Sequence, residues 1–404
     1  MTEKLFESLS LPNGQQVKNR FFKSAMHEAM AKRDNEPTQE YVNLYETWAR
    51  ENIGILVTGN VMVDRKGLAE PGNVVVDEET DKIMLEKWAR AGGKKATKLI
   101  MQLNHPGKQA PKTITKNPVA PSAIPLAGDL GAFFNPPRAL TEQEVKGLVQ
   151  KYIASAQVAY ETGFAGVQLH AAHGYLINQF LSAADNQRTD QYGGSLENRM
   201  RFLLEIYEGI RRVTPADFII GVKINSADFK DRGFTEADSL AVIEVLSDLG
   251  IDFVEISGGN YEKPKMFAES KGQVFFLDFA KKVADKVTAP IVLTGGISKL
   301  SSMKEILAET NIAMLGLARP LALDPQLVTK IKEGTYRDIQ VPRLTTKIRK
   351  LDERLGSYLA LNYYEMQMAR IGRGQSPIIS SNAWGPLFFG LRAHGLTALL
   401  PKRG

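Results

Sequence analysis

Short apolar runs rich in β-branched residues alternate with helix-patterned segments eight times along this 404-residue chain. They are FFKSAM from Phe21, IGILVTGN from Ile53, KLIMQLN from Lys98, AGVQLHA from Ala165, FIIGVKIN from Phe218, IDFVEISGG from Ile251, PIVLTGG from Pro290 and IAMLGLAR from Ile312. Such runs have the pattern of strands buried on both faces, and strict alternation with helices specifies a parallel sheet covered by those helices. Eight units predict closure into an α/β, (β/α)8 TIM barrel. The helical segments carry their own start signals. Thr141 with Glu144 three residues on is a capping box ahead of Val145, Leu148, Val149 and Tyr152 on one face, and Thr235 opens a similar helix.

Three stretches exceed the minimal repeat. Pro106 to Ala139 and Gly258 to Gly272 follow the third and sixth strands and predict long loops on the catalytic face, with Tyr261 and Phe267 available to line a pocket. The tail, from about Pro342, is helical in pattern through LDERLGSYLALNYYEMQMARIG. The expected organisation is a barrel over 1-340 and a helical extension over 341-404, packed on the barrel or on a sister subunit. The Lys and Arg residues are interspersed with acids and the formal charge is only +6, so no nucleic-acid footprint is present. No apolar run approaches the ~20 residues a bilayer span needs, and the chain opens without a secretory pattern, so a cytoplasmic protein is expected. The absence of cysteine excludes disulfides and a cysteine-ligated iron–sulfur cluster.

The segment most informative about chemistry is HAAHGYLINQFLSAADNQRTDQYGGSLENR, His170 to Arg199, where a buried strand gives way to a loop bearing two imidazoles and a phenol. It resembles the signature of the Old Yellow Enzyme family, flavin-dependent ene-reductases on a (β/α)8 barrel. The likeness extends in order through LFESLSLPNGQQVKNRFFKSAM, MQLNHPGKQ, VKINSADF, LTGGIS and LGLARPLALDP. The resemblance implies FMN as cofactor, with NADPH or NADH as a transient hydride donor and a small activated alkene as substrate.

It also implies roles for particular residues. Gly295, Gly296, Ala318 and Arg319 hold the flavin phosphate at the turns after the last two strands, the usual phosphate site of such barrels. Lys223 and Gln102 meet the pyrimidine edge of the ring; Lys stands where many members carry Arg, which keeps the charge and loses the bidentate fork. Ser24, Ala25, Met26 and Asn60 complete the flavin contacts. His27 occupies the place of a Thr or Cys that tunes the flavin, where it either hydrogen-bonds the flavin or enters the pocket. His170 and His173 bind the substrate's carbonyl or nitro oxygen, and Tyr175 delivers a proton while reduced flavin delivers hydride. Arg188, Asp190 and Arg199 read as loop and helix-start anchors.

Without that resemblance, the core-histidine reading of His170 and His173 prevails. No third ligand or HExxH accompanies them, so no metal is expected. A same-fold NAD(P)H oxidase or demethylase keeps the FMN residues but has less need of Tyr175. An FMN-independent lyase or isomerase needs a Schiff-base lysine or paired acids, and a non-catalytic phosphate-ligand binder has little reason to keep the two histidines, Tyr175 and Lys223 together. No GxGxxG follows a strand, which agrees with one site serving nucleotide and alkene in turn. Oligomeric state is open, a homo-oligomer included.

Overall fold

The computed structural model of the chain describes residues 2–263, 274–340 and 342–394. All eight expected strands are present: β1 Phe21–Lys23, β2 Ile55–Met62, β3 Lys98–Asn104, β4 Gly166–Ala171, β5 Ile219–Asn225, β6 Phe253–Ser257, β7 Ile291–Thr294 and β8 Met314–Leu317. Each pairs in parallel with its neighbour in sequence, and β8 returns to β1 with Leu315 opposite Phe21, which closes the barrel. β2, β5 and β6 are buried along their whole length, as strands must be when one face fills the barrel and the other meets a helix.

The barrel interior is layered. Near the N-terminal ends, Phe22, Ile55, Val57, Ile100, Ile219, Phe253, Val292 and Met314 form one apolar cluster. A hairpin of Leu9–Ser10 against Gln16–Val17 closes that mouth, and Leu11 and Val17 join the cluster. Two residues further along β3, β4, β5, β6 and β7, the inward positions change from apolar residues and glycine to Gln102, Gln168, Lys223, Glu255 and Thr294. The fold therefore rests on an apolar floor and carries a polar layer beneath the C-terminal end of its strands.

The capping boxes at Thr141 and Thr235 are formed, with Glu144 and Asp238 as their reciprocal partners. Arg188 donates to the carbonyls of Pro121 and Leu140 and pairs with Asp190, while Arg199 donates to the Leu181 carbonyl, so these residues anchor loops as expected. The long stretch after β3 is more regular than a plain loop, because Val119–Ala120 pairs in parallel with Arg138–Ala139. Phe267 and most of the loop after β6 lie outside the described residues.

Helix Arg349–Gly372 lies along helix Gln39–Arg50, tied by Asn43 Nδ2 to the Gly372 carbonyl at 2.9 Å and by Arg373 to Glu40. A second tail helix, Trp384–His394, packs on the first through Leu355, Tyr358, Leu359 and Leu387. Among the described residues, no helix is long and apolar enough to cross a membrane.

Candidate active site

The polar layer is one continuous hydrogen-bonded chain across the barrel. Gln102 Nε2 donates to Gln168 Oε1 at 2.7 Å, and Gln168 Nε2 donates to Glu255 Oε2 at 2.7 Å. Glu255 Oε1 accepts from Thr294 Oγ1 at 2.8 Å and faces Lys223 Nζ at 3.1 Å, while Thr294 Oγ1 meets Ser24 Oγ at 2.9 Å. The links from β4 to β6 and from β7 to β1 span non-adjacent strands, which places these side chains inside the barrel. Lys223 is thus no isolated cation: the fully buried Glu255 carboxylate balances it. An ammonium has three N–H groups and an amide two, so Lys223 and Gln102 retain donors for a ligand after these bonds are made.

Above this layer stand the two imidazoles and the phenol. His170 is next to last in β4, opposite Lys223 in register, and the chain turns through left-handed backbone at His173 (φ 60°) and Gly174 (φ 76°). That turn is held by Asn225 Oδ1, which accepts from His173 N at 3.1 Å, and by Asn178 Oδ1, which accepts from Gly174 N at 2.8 Å. The ring of His170 lies 5.0 Å from that of His173 and 4.8 Å from that of Tyr175, both edge-on. His170 Nδ1 accepts from Ala172 N at 3.3 Å, so the neutral ring carries its proton on Nε2 and can donate it. His173 Nε2 meets Ser257 Oγ at 2.7 Å.

Burial holds both imidazoles well below their ordinary range. The Lys223 charge adds to this at His170, and His170 and then Lys223 add to it at His173. Burial also pushes the Tyr175 phenol up to about 12, against the opposing pull of its hydrogen bond with Tyr261. The two hydroxyls are 3.0 Å apart. The site therefore offers uncharged donors and a firmly protonated acid.

The turns after β7 and β8 suit an anion. Gly295 (φ 119°) and Gly296 (φ 77°) adopt backbone that side chains rarely tolerate, and this brings the main chain to the surface of the site. The half-buried Arg319 guanidinium follows Ala318 after β8, and its charge reaches Tyr364 of the tail helix. Among the described residues it has no ion pair or side-chain hydrogen bond.

After β1, Ala25 and Met26 are partly buried against the apolar clusters, and His27 follows. His27 Nδ1 is 2.6 Å from Glu70 Oε2 and 3.0 Å from Glu365 Oε1, with only 4%, 4% and 1% of the three side chains exposed. The three ligand-type atoms lie within 4.8 Å of one another. His27 Nε2 is buried and has no hydrogen-bond partner among the described residues. Asn60 follows a bulge in β2, pairs in register with Gln102, and accepts from Asn73 Nδ2 at 3.5 Å.

All the expected site residues thus emerge at the C-terminal end of the barrel. Gln168, Glu255, Thr294, Glu70 and Glu365 were missed by sequence reasoning. One signal was available: Glu255 stands between Val254 and Ile256 in the middle of the strand pattern IDFVEISGG. The Arg319 guanidinium and His27 Nε2, which have no hydrogen-bond partner among the described residues, and the left-handed glycines fit a phosphate-bearing flavin.

A family model described as NADH:flavin oxidoreductase / NADH oxidase matches residues 4–338. The chain is 36% identical over 350 residues to the NADH-dependent flavin oxidoreductase iliE of Hypocrea jecorina (strain QM6a), covering 79% of this chain and 86% of that protein. It is 36% identical over 383 residues to the NADH-dependent flavin oxidoreductase nadA of Aspergillus parasiticus (strain ATCC 56775 / NRRL 5862 / SRRC 143 / SU-1), covering 89% and 83%. Among solved structures, a 2-naphthoyl-CoA reductase in complex with 2-naphthoyl-CoA superposes with a TM-score of 0.78 at 27% identity, over 83% of this chain and 53% of that one. An old yellow enzyme homologue from Zymomonas mobilis superposes with a TM-score of 0.70 over 84% and 94%; at 24% identity this likeness bears on the fold alone.

Proposed function

The chain belongs to the NADH:flavin oxidoreductase / NADH oxidase family, and on that premise we propose that it binds FMN and reduces small alkenes conjugated to a carbonyl or nitro group. NADH is the proposed hydride donor, since the two fungal relatives are both described as NADH-dependent. When bound, the flavin supplies hydride chemistry, taking from the nicotinamide and giving to the alkene β-carbon at one site.

The observation that carries this reading is the edge-on cluster of His170, His173 and Tyr175 over the Lys223 layer. Two neutral imidazoles side by side are suited to donate to one substrate oxygen, and their bonds strengthen as enolate-like charge develops there. Tyr175, kept protonated by burial, gives its proton to the α-carbon. Lys223 and Gln102 hold the pyrimidine edge of the ring, with Ser24 and Asn60 beside it. Gly295, Gly296, the Ala318 amide and Arg319 hold the phosphate. Residues 1-340 are then the flavin-binding barrel and 341-404 a C-terminal extension, whose described helix Arg349–Gly372 lies against helix Gln39–Arg50.

The phosphate assignment is tested by comparing FMN with riboflavin, which lacks the phosphate. A charge-assisted hydrogen bond contributes ~1.5–3 kcal/mol, so Arg319→Ala should weaken FMN binding by about 10- to 100-fold and leave riboflavin binding unchanged. Equal losses for both ligands remove Arg319 from the phosphate site.

A further inference from the structure

Two carboxylates from distant parts of the chain converge on one nitrogen of His27. Glu70 lies in the loop after β2, where its amide donates to Asn73 Oδ1 at 2.7 Å, and Asn73 in turn reaches Asn60. Glu365 lies within helix Arg349–Gly372, 338 positions from His27 in sequence and beyond residue 338, where the family match ends. That helix already docks through apolar residues, Met368, Ala369 and Ile371, so its packing does not call for a buried carboxylate. An ionised carboxylate is costly to bury unless hydrogen bonds compensate it.

The geometry supplies a reason. His27 Nδ1 is hydrogen-bonded to Glu365 Oε1 and has Glu70 Oε2 within ion-pair distance, which fixes the tautomer and leaves Nε2 as the atom available for a ligand. Among the described residues that atom is buried without a hydrogen-bond partner, a loss that a bound group meeting it would make good. Its own segment, Ser24 to Met26, leaves β1 on the barrel end that carries Lys223 and His170.

We propose that the C-terminal extension is a working part of the flavin site: Glu365, together with Glu70, is a positioning residue that holds His27 by Nδ1 and presents Nε2 to the flavin. This rests on the flavin reading above.

The test is FMN binding to the apoprotein, followed by flavin fluorescence, with the midpoint potential of the bound flavin as a second readout. Glu365→Gln should weaken FMN binding by about 10-fold, the loss of one buried hydrogen-bonded contact, and shift the potential. In a His27→Ala background the same change should do neither. Tyr363→Phe is the control: Tyr363 donates to the Ile378 carbonyl and accepts from Ser380 N, so this change loosens the tail without touching the cluster. It should leave both readouts at the wild-type value. Wild-type behaviour of Glu365→Gln, equal losses in Tyr363→Phe, or additive losses with His27→Ala overturn the inference. A wild-type protein that takes up no FMN overturns the flavin reading itself.

Discussion

Replacing His170 and His173 together by alanine is expected to leave FMN bound and to lower enone reduction by roughly 10⁴-fold. Each imidazole is assigned a donor bond that strengthens in the transition state, and such donors contribute ~3 kcal/mol apiece. Their rings are 5.0 Å apart, close enough to converge on one oxygen. The His170 tautomer set by the Ala172 amide already points a donor away from the backbone. Flavin contacts are assigned to other residues, so absorbance near full occupancy separates a lost substrate contact from a lost cofactor. Unchanged turnover at full occupancy excludes the substrate role.

The same burial has a stability consequence. Both histidines are held below their unfolded value of ~6.5, so they stabilise the fold above that pH and lose that contribution as pH falls. The double variant should therefore be less sensitive to acid unfolding than the wild type, measured by melting temperature between about pH 7 and 5.

Tyr175→Phe should slow reoxidation of the reduced enzyme by alkene by roughly 10²- to 10⁴-fold, the range for a positioned general acid, while flavin reduction by NADH proceeds at the wild-type rate. Stopped-flow absorbance resolves the two halves. Since the phenol is pushed up to about 12, its acid form is lost only as pH rises through that value. The wild-type alkene step should accordingly be flat from about pH 7 to 10 on this group's account, where an ordinary tyrosine of pKa ~10 would already be titrating. Equal slowing of both halves would make Tyr175 a packing residue beside Tyr261.

The barrel was legible because its information is local. Each of the eight apolar runs states its own burial, and the caps at Thr141 and Thr235 state where their helices begin. The histidines and Tyr175 were legible because one contiguous segment carries all three. Glu255 and Gln168 were not, since their meaning comes from barrel closure: Gln168 and Glu255 are 87 positions apart, and only the ring of strands sets them facing. The counter-ion of Lys223 was illegible for the same reason, since Glu255 lies one strand away. Glu365 is the extreme case, because helical periodicity locates the tail helix without saying which glutamate turns inward or onto what. Tyr261 was identified as a pocket liner, but its hydroxyl contact with Tyr175 depends on the path of a loop that no periodicity describes.

The most direct test of flavin-dependent alkene reduction is one anaerobic titration followed by absorbance. The purified protein, supplied with FMN if needed, receives NADH and then cyclohexenone. The expected result is a flavin band that bleaches with NADH and returns with the enone, in equal amounts. A band that bleaches and is restored only by admitting oxygen would contradict alkene reduction and favour an NADH oxidase on the same fold; a protein that takes up no flavin would contradict the cofactor site from Lys223 to Arg319.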